Sequence, residues 1–348
     1  MTVCAITVDG SYAARLAGEG DALFAERWTL DGPEPYAVPL PLAQPEEPGT
    51  EVVPLSDGRV LVRRRVAGRQ LFSLVYPAGA GTGELPLGGV ESDCLELLPP
   101  APDGRRVYAL APGERSSAIW LVAGGDFGPE HVAEVPGRCS GGVWLDRTGR
   151  MLALDRSLGG GPVKAVAVDL ERGGEVSVLL AIAEGSDDRL ILADPDSGLL
   201  LIRSNAPGRE RLGWGVLGSS RPVRFPECLL LPDRAVTPFA VQPGQALEPE
   251  RCGVALRIEG VEGSRLGVWR PSDRRVRQLA PPAGWLVGTG LWSGEGVLRL
   301  PCVRGERWCG VARLDTEGVF GEARDAGAVV CRPVPLQQAP LRGRVGFG

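Results

Sequence analysis

The chain has 348 residues and a formal net charge of -5, from 43 Asp and Glu against 38 Lys and Arg. That balance offers no basic field for nucleic acid or an anionic membrane surface, and both are excluded as partners. Gly 50 and Pro 31 stand at intervals between apolar runs in a sequence that is 43% hydrophobic, so they punctuate turns in a folded chain.

The opening MTVCAITVDGSYAARLAGEGD lacks a basic leader and reaches Asp9 before any long apolar run. A signal peptide is not expected. No stretch approaches the ~18 to 20 apolar residues of a membrane helix, and a cytoplasmic location follows as the expectation. The 8 cysteines are then thiols; they form no CxxC pair, and His131 is the single histidine. No zinc spacing results, and neither metal nor cofactor is expected.

Turn glycines recur at Gly10, Gly58, Gly104, Gly149, Gly198, Gly244 and Gly296, spaced 45 to 52 residues apart. Their flanks, among them TVDGSYAARL, LSDGRVLVRR and APDGRRVYAL, put an Asp-Gly or similar turn between two short apolar runs. Glycine accepts the positive φ of such turns, so each flank predicts a hairpin, strands one and two of a unit. A third apolar run follows, as in SAIWLVAGG and SRLGVWRPSD, with tryptophan at Trp28, Trp120, Trp214, Trp269 and Trp308. A shorter, more polar fourth run closes the unit, as in EVSVLLAI and RRVRQLAP. Four strands per unit without a long helical period predict an all-β, seven-bladed β-propeller of four-stranded antiparallel blades. The expected blades are 1–49, 50–92, 93–137, 138–185, 186–233, 234–283 and 284–348 of one domain. The segment 328–348 is expected to supply the last outer strand or a strand closing the ring, and 245–252 is an insertion.

Pro102-Asp103-Gly104, Ser56-Asp57-Gly58 and the pair Val268-Trp269 followed by Arg275-Val276-Arg277-Gln278-Leu279 carry a likeness. Through them the chain resembles the TolB and WD40-like propeller repeat families, with a PDG turn after the innermost strand. The resemblance implies the fold. Such repeats serve transport accessory proteins, prolyl oligopeptidase-type enzymes and scaffolds alike, so it implies no activity.

In a propeller, loops leading into the innermost strands face the channel mouth. Here they hold Glu91, Asp93, Arg138, Asp187, Asp188, Arg189, Arg234 and Trp285. Arginine suits bidentate recognition of carboxylate or phosphate, so Asp187, Asp188, Arg189, Arg138 and Arg234 are candidate binding residues. Asp187-Asp188-Arg189 ranks first, directly before the apolar LILA. Trp144, Trp285 and Trp292, in or near innermost strands, are either core or a stacking surface for a ligand. An enzyme would use Asp187, Asp188, Glu91 and Asp93 as converging carboxylates. A triad is not expected, because His131 falls in an outer fourth strand and no GxSxG occurs. The reading is a monomeric, non-catalytic binding or scaffold module for a protein segment or small anionic ligand. The rival is a stand-alone propeller enzyme, a lyase, cyclase or hydrolase of specialised metabolism.

Overall fold

The computed structural model describes residues 4–32, 34–304, 308–315, 318, 320 and 329–331. Short strands follow one another through tight turns, and each pairs with its predecessor. The first sheet is β1 (Cys4–Ile6), β2 (Tyr12–Ala17), β3 (Phe24–Thr29) and β4 (Tyr36–Leu40). The second is β5 (Glu51–Pro54), β6 (Val60–Val66), β7 (Arg69–Ala78) and β8 (Gly81–Glu91). The third is β9 (Glu96–Leu97), β10 (Val107–Pro112), β11 (Ser116–Ala123) and β12 (Glu130–Pro136).

Seven strands then share one sheet: β13 (Arg138–Trp144), β14 (Met151–Ser157), β15 (Lys164–Asp169), β16 (Glu175–Leu180), β17 (Asp188–Ala193), β18 (Leu199–Ser204) and β19 (Arg211–Val216). The next four-stranded sheet is β20 (Ala235–Val241), β21 (Val254–Gly260), β22 (Gly263–Trp269) and β23 (Arg277–Leu279). The last is β24 (Leu291–Trp292), β25 (Val297–Arg304), β26 (Trp308–Asp315) and β27 (Val329–Cys331).

The structure is thus an all-β propeller with five separate four-stranded antiparallel blades. Seven separate blades, the expectation from the glycine spacing, are not formed. Two features produce the difference. A single parallel residue pair, Lys164 with Asp188, fuses β15 to β17. Beyond β19, only Arg224 bridges to Trp214, each N–H donating to the other's carbonyl at 2.8 and 2.9 Å. The next ladder positions on either side of Arg224 are Pro222 and Pro226, which have no N–H to give, so no fourth strand extends there.

All seven anchor glycines lie between a first and a second strand, with φ from +68° to +85°. The turns are linked in succession. Arg27 Nη1 donates to the Gly58 carbonyl at 3.1 Å, and the Ser56 N–H to the Gly104 carbonyl at 2.9 Å. Arg106 Nη2 donates to the Thr148 carbonyl at 3.0 Å, Arg147 pairs with Asp196, and Asp196 accepts the Gly244 N–H at 2.8 Å.

Apolar clusters fill the spaces between neighbouring sheets, as where Tyr108, Leu110 and Ile119 meet Trp144, Leu152 and Leu154. First strands neighbour one another: β1 lies beside β5, β13 beside β17, β17 beside β20 and β20 beside β24. They surround the axis. The ring closes where Cys4, Ala13, Trp28 and Leu30 pack on Cys309 and Val311. Among the described residues no strand is exchanged across this seam. Of the tail, Val329–Cys331 is the outer strand of the last sheet; its other residues, like the Trp308 side chain, lie outside the described set.

Candidate functional site

At one end of the molecule each chain segment passes from an outer strand to the next first strand. Arg138 is the first residue of β13, Asp188 and Arg189 are the first two of β17, and Arg234 directly precedes β20. Alternate side chains of a strand face opposite ways, so consecutive charges meet different fates.

Asp188 turns inward and is fully buried. Its carboxylate accepts from Lys164 Nζ at 2.8 Å, Ser204 Oγ at 2.6 Å and the Ile182 N–H at 2.9 Å, with Ser186 Oγ at 2.9 Å from both oxygens. Burial pushes its pKa up, but the bonds from Lys164, Ser204, Ile182 and Ser186 prevail and hold it below the usual carboxylate range. Lys164 spends its remaining donors on the Ala183 and Ser186 carbonyls. This is a clasp joining β15 to the start of β17, with no valence left for a ligand. Asp187 also works internally: Oδ1 accepts the Val163 N–H at 2.7 Å, and its own N–H donates to Asn205.

Arg189 reaches outward, 38% exposed, with Nη1 at 3.6 Å from Asp155 Oδ2. Asp155 was missed by sequence reasoning. It lies on β14, 7% exposed, and accepts the Leu190 N–H at 3.0 Å. Burial pushes its pKa up to about 6, against the opposing Leu190 N–H and Arg189 charge. The signal was a lone acid in the apolar run MLALD, where an ion is costly unless well paired.

Directly paired residues on adjacent strands point to one face. Asp155 is paired with Ser140, and Ser157 with Arg138, so these four share a face of the β13–β14 hairpin, and Arg189 approaches Asp155 from β17. A bulge between Ser140 and Val143 carries Gly141 at φ +71°, and a Cβ there would stand 3.5 Å from Asp155 Oδ2. Arg138 is exposed and makes no ion pair with any described residue.

Arg234 is exposed, and Nη1 donates to neutral Gln278 Oε1 at 3.0 Å. It borders a cleft of about 270 Å³ lined also by Asp233, Ile258, Val261, Glu262 and Arg265. Asp233 has φ +56°, an unusual conformation for a residue with a side chain.

The carboxylates expected to converge share no hydrogen-bond partner among the described residues. Glu91 and Asp93 are exposed at the end of β8, Glu91 standing 4.0 Å from Arg69, while Asp188 is sealed in its clasp. Among the described residues no group of three or more His, Cys, Asp and Glu is arranged to hold a metal. The tryptophans offer no stacking surface. Trp144, Trp285 and Trp292 are 7%, 6% and 3% exposed; Trp144 Nε1 donates to the Pro99 carbonyl, and Trp285 Nε1 to that of Thr289. An indole satisfied at its N–H and packed on Tyr108 or Phe239 belongs to the core.

No protein family and no curated protein matches the chain. Solved structures do match in fold. The β-propeller domain of the Trilobed protease from Pyrococcus furiosus, described as having an open velcro topology, superposes with a TM-score of 0.56 at 12% identity, over 95% of this chain and 97% of that one. A prolyl endopeptidase matches with a TM-score of 0.58 at 10% identity over 96% of this chain, which spans 50% of that chain's length. TolB from Acinetobacter baumannii matches at 0.47 and 12% identity, over 88% and 77%. The chain has a β-propeller fold, shared with the Pyrococcus furiosus domain and the prolyl endopeptidase. At these identities the likeness is one of fold alone. Among the described residues no helix is long and apolar enough to cross a membrane.

Proposed function

We propose that this propeller is a non-catalytic binding module, recognising an anionic group on a protein segment or small ligand at the end where its first strands begin. One observation carries the reading. Three successive first strands start with an arginine free of a tight carboxylate pair: Arg138 has no ion pair with a described residue, Arg189 stands 3.6 Å from Asp155, and Arg234 meets neutral Gln278. Arg64, by contrast, is consumed internally by Glu46 and Glu84 at 2.6 and 2.7 Å. A guanidinium with spare donors beside an axis is suited to carboxylate or phosphate.

The enzyme reading is weaker because acid–base chemistry uses a matched pair of groups, and the Asp188 carboxylate near Asp155 is sealed in its pair with Lys164. We also read the seven-stranded sheet as two blades sharing one edge pair, since Leu145 and Ala153 pack on Leu190 and Leu200 as facing blades do.

The test is binding of immobilised acidic and phosphorylated peptides to the wild type and to a variant carrying R138A, R189A and R234A together. Charge-assisted hydrogen bonds contribute about 1.5 to 3 kcal/mol each, so the variant should lose at least about tenfold in affinity. Equal binding by both proteins, or none by the wild type, would remove the site.

A further inference from the structure

We infer that Asp155 couples anion binding at the β13–β14–β17 end to proton uptake, its neutral form releasing Arg189 to the ligand and its ionised form competing for it. This rests on the binding reading above and names how that site is regulated.

The geometry supplies both halves of the switch. Asp155 is buried, so its charge is little screened by water, and the bulge glycine Gly141 stands against its Oδ2, where an added Cβ would lie 3.5 Å away. Arg189 is held at 3.6 Å, too far for a closed hydrogen bond, and can turn toward an incoming anion. Arg138 and Ser140 lie on the same face and complete an oxyanion site.

The charged groups around Asp155 are few. From β17 come Arg189 and the Asp188 carboxylate, the latter already neutralised by Lys164 of β15. From β13 come Arg138 on the shared face and the Cys139 thiol on the opposite one, whose pKa burial pushes up. Arg156 follows Asp155 on β14 and points away with Cys139. Asp155 is the buried carboxyl of this face that lacks a tight counter-charge, so we take it as the group that changes charge. Its pKa of about 6 puts the change in the weakly acidic range.

The ligand chemistry is that of a small oxyanion, whether a free ion or the carboxylate or phosphate of a peptide. An anion near Asp155 raises the cost of ionising it; a one-unit rise in its pKa corresponds to about tenfold in affinity. The probe is sulfate, which keeps its charge through the range, titrated at constant ionic strength near pH 5 and near pH 7.5 into wild type and D155N.

Wild type is expected to bind about tenfold more tightly at the lower pH, and D155N to bind equally at both, near the wild type's low-pH affinity. Wild-type binding with no pH dependence beyond that of D155N overturns the coupling and leaves the binding reading intact. No sulfate binding by either protein at either pH overturns the anion-site reading and the coupling together. Should D155N fail to fold, the titration of the wild-type Asp155 carboxyl, followed by carbon NMR, decides: sulfate should raise its midpoint, and an unmoved midpoint rejects the coupling. An acidic peptide and its phosphorylated form, run in parallel, separate a peptide-borne anion from a free one.

Discussion

Asp188 and Asp155 are both buried carboxyls at the same end of neighbouring strands, and the structure pushes them in opposite directions. Asp188 is surrounded by donors, so its folded pKa lies below the unfolded value. It therefore contributes stability at neutral pH that is lost as pH falls through its folded pKa. Removing it leaves the Lys164 ammonium, only 19% exposed, without its counter-charge. Asp188→Ala should cost about 3 to 5 kcal/mol in urea unfolding at neutral pH. A cost under ~1 kcal/mol would mean that the clasp is not the structural tie described here.

Asp155 works the other way. Its folded pKa of about 6 exceeds the unfolded carboxyl's ordinary value, so the folded state holds the extra proton between the two. Stability falls as pH rises through that window and is level above it. Asp155→Asn should accordingly stabilise the protein by about 2 to 3 kcal/mol at neutral pH and by little near pH 4. Urea midpoints at both pH values check it, and a uniform loss at both would show that the carboxylate is well solvated or well paired. The run Asp187-Asp188-Arg189 was legible as charge before a strand. Its division into a sealed acid and an outward arginine was not, because that depends on strand phase and on Lys164, 24 residues away. Asp155 went unseen for the same reason: its neighbours Leu190 and Arg189 come from the next first strand.

At the scale of elements, the turns were the most legible part of the chain. Each anchor glycine was recognisable from its flanks, and each occupies the positive-φ position of a first hairpin. Gly104 shows what the position demands. It stands at φ +68°, and a Cβ there would lie 2.0 Å from Ser56 Oγ of the preceding turn, across the Ser56-to-Gly104 backbone bond. Gly104→Ala should therefore cost more than the ~1 kcal/mol of left-handed strain alone. Gly20→Ala is the control, with φ +55° and nothing within 4 Å of the added carbon. Thermal unfolding of the two variants measures the difference, and equal losses would mean that the turn-to-turn contact contributes nothing. Fourth strands were less legible. The two prolines flanking Arg224 were visible in RPVRFP, but their consequence depends on which residue faces the β19 edge. The period counts turns; it does not say whether neighbouring strands share a ladder, and the single Lys164–Asp188 pair is enough to fuse two units.

At the scale of the whole molecule, the described residues of the ring's seam meet through side chains, with no strand passing across it among them. Trp28 is fully buried there, its Nε1 donating to Glu26 Oε2 at 2.7 Å, while Arg15 binds the same oxygen at 2.6 Å. Thr289 Oγ1 adds a hydrogen bond to the Cys4 carbonyl at 3.2 Å. Cys4 and Cys309 sit inside this seam, and burial pushes both thiols up to about 12. A thiol reacts as its thiolate, so in the closed ring neither should react at neutral pH, while exposed Cys94 should react freely. If the seam is the weakest joint, Cys4 and Cys309 should become reactive together in urea below the global midpoint, while Cys139 and Cys302, buried between other sheets, stay protected. Trp28→Ala removes the largest side chain of the seam and should cost about 3 to 5 kcal/mol. It should also expose Cys4 and Cys309 first, at a denaturant concentration well below that of the wild type. Mass-resolved thiol labelling across a urea series reads all four sites at once. Simultaneous labelling of all four in both proteins would show that the seam is no weaker than any other junction, and that the ring unfolds as one cooperative unit.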